Sequence, residues 1–191
     1  MKRFRKFTAL LMAMVMVLAM GVTSFAAEND TVTVNVKIQN PAYAEALADG
    51  DSTEGIEQYW FDGEVTLDAD ESLYTIADAG TVENYGTATA MDAIIQAVND
   101  SNLTDKTIDC YRVQYTVYDP SSGEWVPVEG RYGIAFNQLS TAAGSSTTEG
   151  GVTTYKYWEV VVDGTSASDY ATAYVADDNM TVEVNWSVFS W

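Results

Sequence analysis

"MTVEVNWSV", residues 180–188, alternates apolar and polar side chains without a break. Its apolar residues share one face of an extended chain, because successive side chains of a β-strand point to opposite sides. They are Met180, Val182, Val184, Trp186 and Val188. "TVTVNVKI", residues 31–38, repeats the pattern near the other end of the chain. Two such strands predict a sheet with one buried face.

Further strand candidates lie between these two segments. They are "QYWFDGEVTL" (58–67), "CYRVQYTVY" (110–118), "WVPV" (125–128) and "YKYWEVVV" (155–162). The intervening "YDPSSGEW" (118–125) is typical of a chain reversal, because Pro120 presets one backbone angle and Gly123 accepts a positive φ. The pattern therefore predicts a hairpin between Arg112–Tyr118 and Glu124–Val128.

One segment, "TATAMDAIIQAVND" (87–100), strongly indicates a helix. Its residues Met91, Ile94, Ile95 and Val98 form a single apolar stripe. Thr89, with Asp92 three residues later, is a capping signal, and the acid suits the positive end of the helix dipole. A weaker helical turn is predicted around residues 168–178.

These elements predict an α+β fold. A single amphipathic helix packed on one face of a mostly antiparallel or mixed sheet accounts for the order strand, strand, helix, strands. A β-grasp-like arrangement, with the first strand beside the last in the middle of the sheet, is the simplest such topology. We expect one domain over residues 27–191, with an enlarged hairpin and loop region at about 110–154.

Residues 1–26 have the features of a secretory signal peptide. A basic start is followed by an apolar run over residues 7–22 and then by small residues suited to cleavage after Ala26. Residues 27–191 keep all 28 Asp and Glu but only five of the nine Lys and Arg, which gives a net charge of −23. We therefore expect a secreted protein, released or retained non-covalently at the cell surface. This charge argues against nucleic acid and anionic membranes as partners.

Residues that commonly carry catalysis are scarce. The chain has no His and one Cys, Cys110, so the commonest general base and the common zinc ligands are missing. The acidic loop at residues 49–55 begins like a calcium-binding loop, but Glu54 and Trp60 stand where that loop needs Gly and a bidentate Glu. We expect no enzymatic activity, no cofactor and no metal.

Aromatic residues are the remaining functional signal. Alternation places Trp158 in the core and leaves Tyr155 and Tyr157 on the other face. It also places Trp60 opposite both Tyr59 and Phe61. Trp125 lies near a hairpin tip. Exposed Tyr can serve strand propensity alone, or it can form a contact surface, since binding sites favour Tyr and Trp. The candidate ligand-binding residues are Tyr155, Tyr157, Tyr59, Trp60 and Trp125.

Three short motifs resemble the transcobalamin-like C-terminal domain family. They are the helix start at residues 89–93, the Trp158–Gly164 hairpin segment, and the Asp177-Asp178 turn before the last strand. The family is a β-grasp module of bacterial exported proteins, mostly of unknown function, and of vertebrate cobalamin carriers. This chain departs from it in having Asp at 163, where Asn is commoner, and a longer segment at 110–154.

The resemblance implies a non-catalytic module that binds a corrinoid or another small ligand at the cell surface. The absence of a His to ligate cobalt weakens the corrinoid version. The alternative is a structural or adhesive envelope component that contacts proteins or glycans through a Tyr- and Trp-rich face.

Overall fold

A computed structural model describes residues 30–191, which contain two α-helices and nine β-strands. The helices are α1 (Pro41–Asp49) and α2 (Ala90–Asp100), and 3₁₀ turns lie at Ala79–Thr81 and Ala171–Ala173. The strands are β1 (Thr31–Gln39), β2 (Tyr59–Asp68), β3 (Ile108–Asp119), β4 (Glu124–Leu139), β5 (Ala142–Ala143), β6 (Ser145–Glu149), β7 (Val152–Val162), β8 (Thr165–Ser166) and β9 (Thr181–Ser190). The signal peptide predicted for residues 1–26 lies outside the described residues.

The larger sheet has six strands in the order β2-β1-β9-β7-β6, with β8 paired to the end of β7. β1 and β9 are parallel neighbours, whereas the other neighbouring strands are antiparallel. The predicted mixed, mostly antiparallel sheet is confirmed, and the first strand does lie beside the last. Parallel strands need a long crossover connection, and here the whole chain between β1 and β9 provides it.

One face of this sheet is the core face, as the alternation predicts. It presents apolar residues from β1, β2, β7 and β9, and α2 lies across it. The largest side chains here with no exposed surface are Val34, Val36, Ile38, Met91, Ile94, Val98, Val182 and Val184. The helix predicted from "TATAMDAIIQAVND" and its apolar stripe are therefore confirmed, although Ile95 is only half-buried.

The carboxylate of Asp92 is fully buried at the start of α2. Its Oδ2 accepts hydrogen bonds from the backbone N–H of Thr89 (2.8 Å) and from the Thr89 hydroxyl (2.6 Å). Its Oδ1 accepts one from the backbone N–H of Leu73 (2.6 Å), so the carboxylate also anchors the segment before the helix. Burial raises the pKa of Asp92 above its ordinary value, and these hydrogen bonds oppose the rise.

The prediction of a single helix is wrong, because α1 is a second one. The Asn40 side chain caps its start by accepting a hydrogen bond from the Ala42 N–H (3.0 Å), and Pro41 occupies the first turn. Gly50, with a φ of 76°, ends it, and the Asp51 N–H donates back to the Ala46 carbonyl (2.8 Å). The start of the acidic loop compared with a calcium site is thus a helix terminus.

The predicted hairpin is confirmed only near its turn. Val117 pairs with Val126 and Tyr118 with Trp125, but Arg112 pairs with Ile134. A register shift between residues 114 and 116 causes this difference, because extra residues of β4 are accommodated there. With β5, these two strands form a separate three-stranded sheet. The sequence predicts an enlarged hairpin and loop region at about 110–154. Its residues up to 143 belong to the smaller sheet, whereas β6 belongs to the larger sheet.

The smaller sheet packs against Tyr170, which lies in the segment between β8 and β9. Gly133 of β4 lies against this ring, where an added Cβ would come within 2.4 Å of a ring carbon. Tyr115 packs edge-to-face on Tyr170, with ring centroids 5.0 Å apart, and the Arg131 guanidinium lies 4.0 Å from the Tyr115 centroid. Arg131 also pairs with Glu83 (3.1 Å). Aromatic packing therefore holds the smaller sheet against the segment that leads to β9, and the cation–π contact stabilises Tyr115 within the smaller sheet.

Replacing Asp92 with Ala should lower the free energy of unfolding by about 2–4 kcal/mol, because the buried Thr89 N–H and the partly buried Leu73 N–H lose their acceptor. Asp100→Ala, at the exposed end of the same helix, is the matched control and should change stability by less than about 0.5 kcal/mol. Urea unfolding followed by circular dichroism measures both. Equal losses in the two variants would contradict the anchoring role of Asp92.

Asp92→Asn should reveal the raised pKa as a pH dependence. A carboxyl with a pKa higher in the folded than in the unfolded chain stabilises fully below its unfolded value, near 3.8, and loses that contribution as pH rises through the folded value. Asn cannot ionise. The free energy of unfolding of wild type minus that of Asp92→Asn should therefore be larger at about pH 3 than at about pH 7. Urea titrations across this range measure the gap, and a constant gap contradicts the raised pKa.

Candidate ligand-binding groove

Three of the five tryptophans form one cluster at an end of the core face. Trp158 of β7 and Trp186 of β9 are cross-strand partners, with ring centroids 4.9 Å apart. Trp60 of β2 packs against Trp158 with centroids 5.7 Å apart. The Trp158 indole N–H donates to the Ala142 carbonyl (3.1 Å), which links the cluster to β5. These rings are positioned by three strands and by the smaller sheet.

Trp60 does not obey simple alternation. Ile38 pairs with Phe61 and Gln39 with Tyr59, so Trp60 is left unpaired at a β-bulge. Trp60 and Phe61 both pack against the core, which makes the predicted placement of Trp60 opposite Phe61 wrong. Tyr59 lies on the other face, where the Lys37 ammonium is 5.7 Å from its ring centroid. The bulge directs the Trp60 indole toward Trp158.

A groove of about 410 Å³ lies beside this cluster, open to solvent. Its walls come from the start of α1, from the segment around β5, and from strands β2, β7 and β9. The lining residues are Asn40, Pro41, Ala42, Glu45, Trp60, Thr141, Ala142, Ala143, Ser145, Lys156 and Trp186. We call it the tryptophan groove. Its volume lies within the range of about 300–1,000 Å³ typical of small-molecule sites.

Glu45 is the central polar residue of the tryptophan groove. Its Oε1 accepts a hydrogen bond from the Trp186 indole N–H (2.9 Å), and its Oε2 pairs with the Lys156 ammonium (2.8 Å). Both carboxylate oxygens of Glu45 therefore have a partner, and the Lys156 ammonium balances the negative charge. Because Trp186 is buried apart from 5% of its surface, its N–H needs this acceptor. The groove thus has a fixed polar centre next to aromatic side chains.

The structure does not bring the five predicted ligand-binding residues together. Trp60 lines the tryptophan groove. Tyr155 and Tyr157 lie on the opposite face of β7, 38% and 46% exposed, and Tyr155 is the cross-strand partner of Phe189. Tyr59 also lies on that face, but on β2, which is separated from β7 by two strands. Tyr155 and Tyr157 therefore form a second, open surface, and Tyr59 lies away from them on the same face.

Trp125 lies apart from both surfaces, near the tip of the β3–β4 hairpin. It is 68% exposed and packs edge-to-face on Tyr118, with centroids 5.7 Å apart. Val117 and Val126, on the other side of the hairpin, are also exposed. Asp119 accepts hydrogen bonds from Ser121 in the connecting turn, and these lower its pKa. The hairpin tip is therefore an ordered, apolar and negatively charged projection.

The sequence interpretation missed Glu45, Lys156 and Trp186 as groove residues. Glu45 was missed because α1 was not recognised, although Asn40, Pro41 and Gly50 carry ordinary helix-boundary signals. Lys156 could have been found by parity, since it shares the Trp158 face of β7. Trp186 was assigned to the core, which it does reach, while its indole edge contributes to the groove.

Groups with other chemical potential lie outside the groove. Burial raises the pKa of the half-buried Cys110 thiol to about 11, so this thiol is protonated at neutral pH. Within residues 30–191, no group of three or more Cys, Asp and Glu is placed to hold a metal ion. Over the same range, no helix is both long and apolar enough to cross a membrane.

Comparison with known proteins adds no family assignment. No protein-family model matches the sequence, and a search of curated proteins gives no match.

Glu45→Ala should lower the free energy of unfolding by about 1–2 kcal/mol, because the Trp186 indole N–H loses its acceptor in a buried position. Glu45→Gln keeps an amide oxygen for that N–H and should cost less than about 1 kcal/mol. Glu54→Ala, an exposed acid in the following loop, is the control. Urea unfolding with tryptophan emission as readout measures all three, and equal effects of Glu45→Ala and Glu54→Ala would refute the bridging role.

Proposed function

We propose that this protein is an exported, non-catalytic binding module that takes a small ligand in the tryptophan groove. The observation that carries the proposal is the Glu45 carboxylate, fixed on both oxygens between the Trp186 indole and the Lys156 ammonium beside open space. Sites for small ligands combine aromatic walls with a few fixed polar groups in this way. Export is part of the proposal and is supported by the features of residues 1–26.

The β-grasp assignment also belongs to this proposal. It is supported by the central parallel pair of β1 and β9 and by α2 packed across one face of the sheet. The transcobalamin-like resemblance makes a corrinoid one candidate ligand. A corrinoid is larger than a drug-sized molecule, so a groove of about 410 Å³ would hold only part of it. A smaller ligand therefore fits the groove better.

A second candidate function is adhesion at the cell surface. The observation in its favour is the hairpin tip, where Trp125 and Tyr118 are each more than half exposed. Exposed aromatic pairs of this kind are common at protein contact surfaces. This function would use the hairpin and leave the tryptophan groove unused, so variants of the two surfaces distinguish the candidates.

The test compares ligand-induced stabilisation in matched tryptophan variants. The purified exported protein is screened by thermal unfolding against a small-molecule panel that includes cobalamin and cobinamide. A groove ligand should raise the Tm of wild type and of Trp125→Ala alike, since binding to the folded state stabilises it. Trp60→Ala should weaken the same ligand by about tenfold or more, because it removes an aromatic wall.

The opposite pattern supports adhesion. In that case Trp125→Ala, and not Trp60→Ala, would reduce retention of the protein on the cells that produce it, measured by immunoblot of washed cells. A panel in which no compound changes the Tm of any variant would contradict the small-ligand proposal.

A further inference from the structure

We propose that the ligand of the tryptophan groove is an uncharged carbohydrate, bound as a short oligosaccharide. This inference rests on the proposed function of the groove and specifies its ligand class. It follows from the charge of the groove, from the shape of its apolar surface and from the hydrogen-bonding groups around that surface.

The net charge of the protein and the ion pair in the groove both disfavour ionic ligands. Residues 27–191 carry a net charge of −23, so an anionic ligand is repelled on approach. The groove lining contains one acid and one base, Glu45 and Lys156, and they pair with each other at 2.8 Å. A cationic ligand would have to compete with Lys156 for a carboxylate whose other oxygen is held by Trp186. An uncharged ligand is not repelled by the net charge of the protein, and it does not have to displace Lys156 from Glu45.

The apolar part of the groove is aromatic. The Trp60 indole is half-buried, packs against Trp158 with the ring planes tilted by 52°, and lines the groove. Ala42 and Ala143 add only methyl groups, so no bulky side chain from these positions covers the rings. A pyranose ring has an apolar face of C–H groups and matches such a surface. Burying that face against an indole is favourable in proportion to the apolar area removed from water.

Polar groups surround this surface and can both donate and accept. The Thr141 and Ser145 hydroxyls lie in the lining and are exposed, and each can donate or accept a hydrogen bond. The Lys156 ammonium has three N–H donors, so its pairing with Glu45 leaves others for a ligand. Sugar hydroxyls, which also donate and accept, suit this mixture. The groove volume of about 410 Å³ suits one or two sugar rings, and because the groove is open, further linked sugars can extend out of it into solvent.

The experiment measures binding of defined oligosaccharides by isothermal titration calorimetry and tryptophan fluorescence. Neutral probes are cellohexaose, xylohexaose, mannohexaose and N-acetylchitohexaose; charged probes are oligogalacturonate and chitosan hexamer; adenosine tests a flat aromatic ligand. We expect at least one neutral probe to bind with a Kd of about 1 mM or tighter. Its affinity should change less than about twofold between about 50 mM and about 500 mM salt, because no net charge is paired.

Variants then place the bound sugar. Trp60→Ala should weaken the neutral probe by about tenfold or more. Because Trp60 also packs in the core, Ala42→Tyr is the second variant: Ala42 is exposed, and a Tyr there should block the groove without unfolding the protein. Trp125→Ala, remote from the groove, should bind like wild type. Circular dichroism and urea unfolding verify that each variant is folded.

The outcomes separate this inference from the proposed function. If the charged probes or adenosine bind in a Trp60-dependent manner and the neutral sugars do not, the carbohydrate assignment is wrong and the groove remains a ligand site. If a neutral sugar binds but neither Trp60→Ala nor Ala42→Tyr weakens it, the groove assignment is wrong. If no neutral probe binds at about 10 mM, the carbohydrate inference is overturned whatever else the groove takes.

Discussion

The buried carboxylate of Asp92 connects the start of α2 to the segment before it, in addition to backbone hydrogen bonds such as that from Ala88 to Ala69. It caps α2 through Thr89 and holds the Leu73 N–H, so the helix start and the segment leading to it are fixed by one side chain. Thr89 is also bridged to Val175, in the segment that leads to β9. Because α2 covers the core face, the position of this carboxylate determines how the helix lies on the sheet. A buried charge is costly unless its oxygens are used, and here they are.

The tryptophan groove depends on a different kind of constraint. Its residues come from five separate parts of the chain, and the bulge at Trp60 is needed to turn that indole toward Trp158. The second sheet contributes the Ala142 carbonyl that holds the Trp158 indole. Loosening the other contact of the second sheet, where Gly133 approaches Tyr170 in the segment before β9, would therefore affect the groove from a distance. Fold and site are coupled through one interface.

Much of the sheet could be predicted from the sequence, because period-two alternation is a local property. Alternation correctly placed Trp158 on the core face of β7 and Tyr155 and Tyr157 on the opposite face. Apolar spacing correctly located α2. The missed helix α1 has readable boundaries but a weak apolar stripe, so the sequence pattern did not predict a helix there. The bulge at Trp60 and the register shift in the β3–β4 hairpin have no local signature. Both are set by how neighbouring strands fit, and the groove could not be predicted without them.

The parallel pairing of β1 and β9 also governs when the molecule can assemble. The Thr33 N–H donates to the Asp178 carboxylate 145 residues later, and the Trp186 N–H donates to the Gln39 side chain 147 residues earlier. The centre of the sheet cannot close until β9 has been synthesised. Contacts of such high sequence separation form slowly. The sheet therefore stays open until its last strand is available.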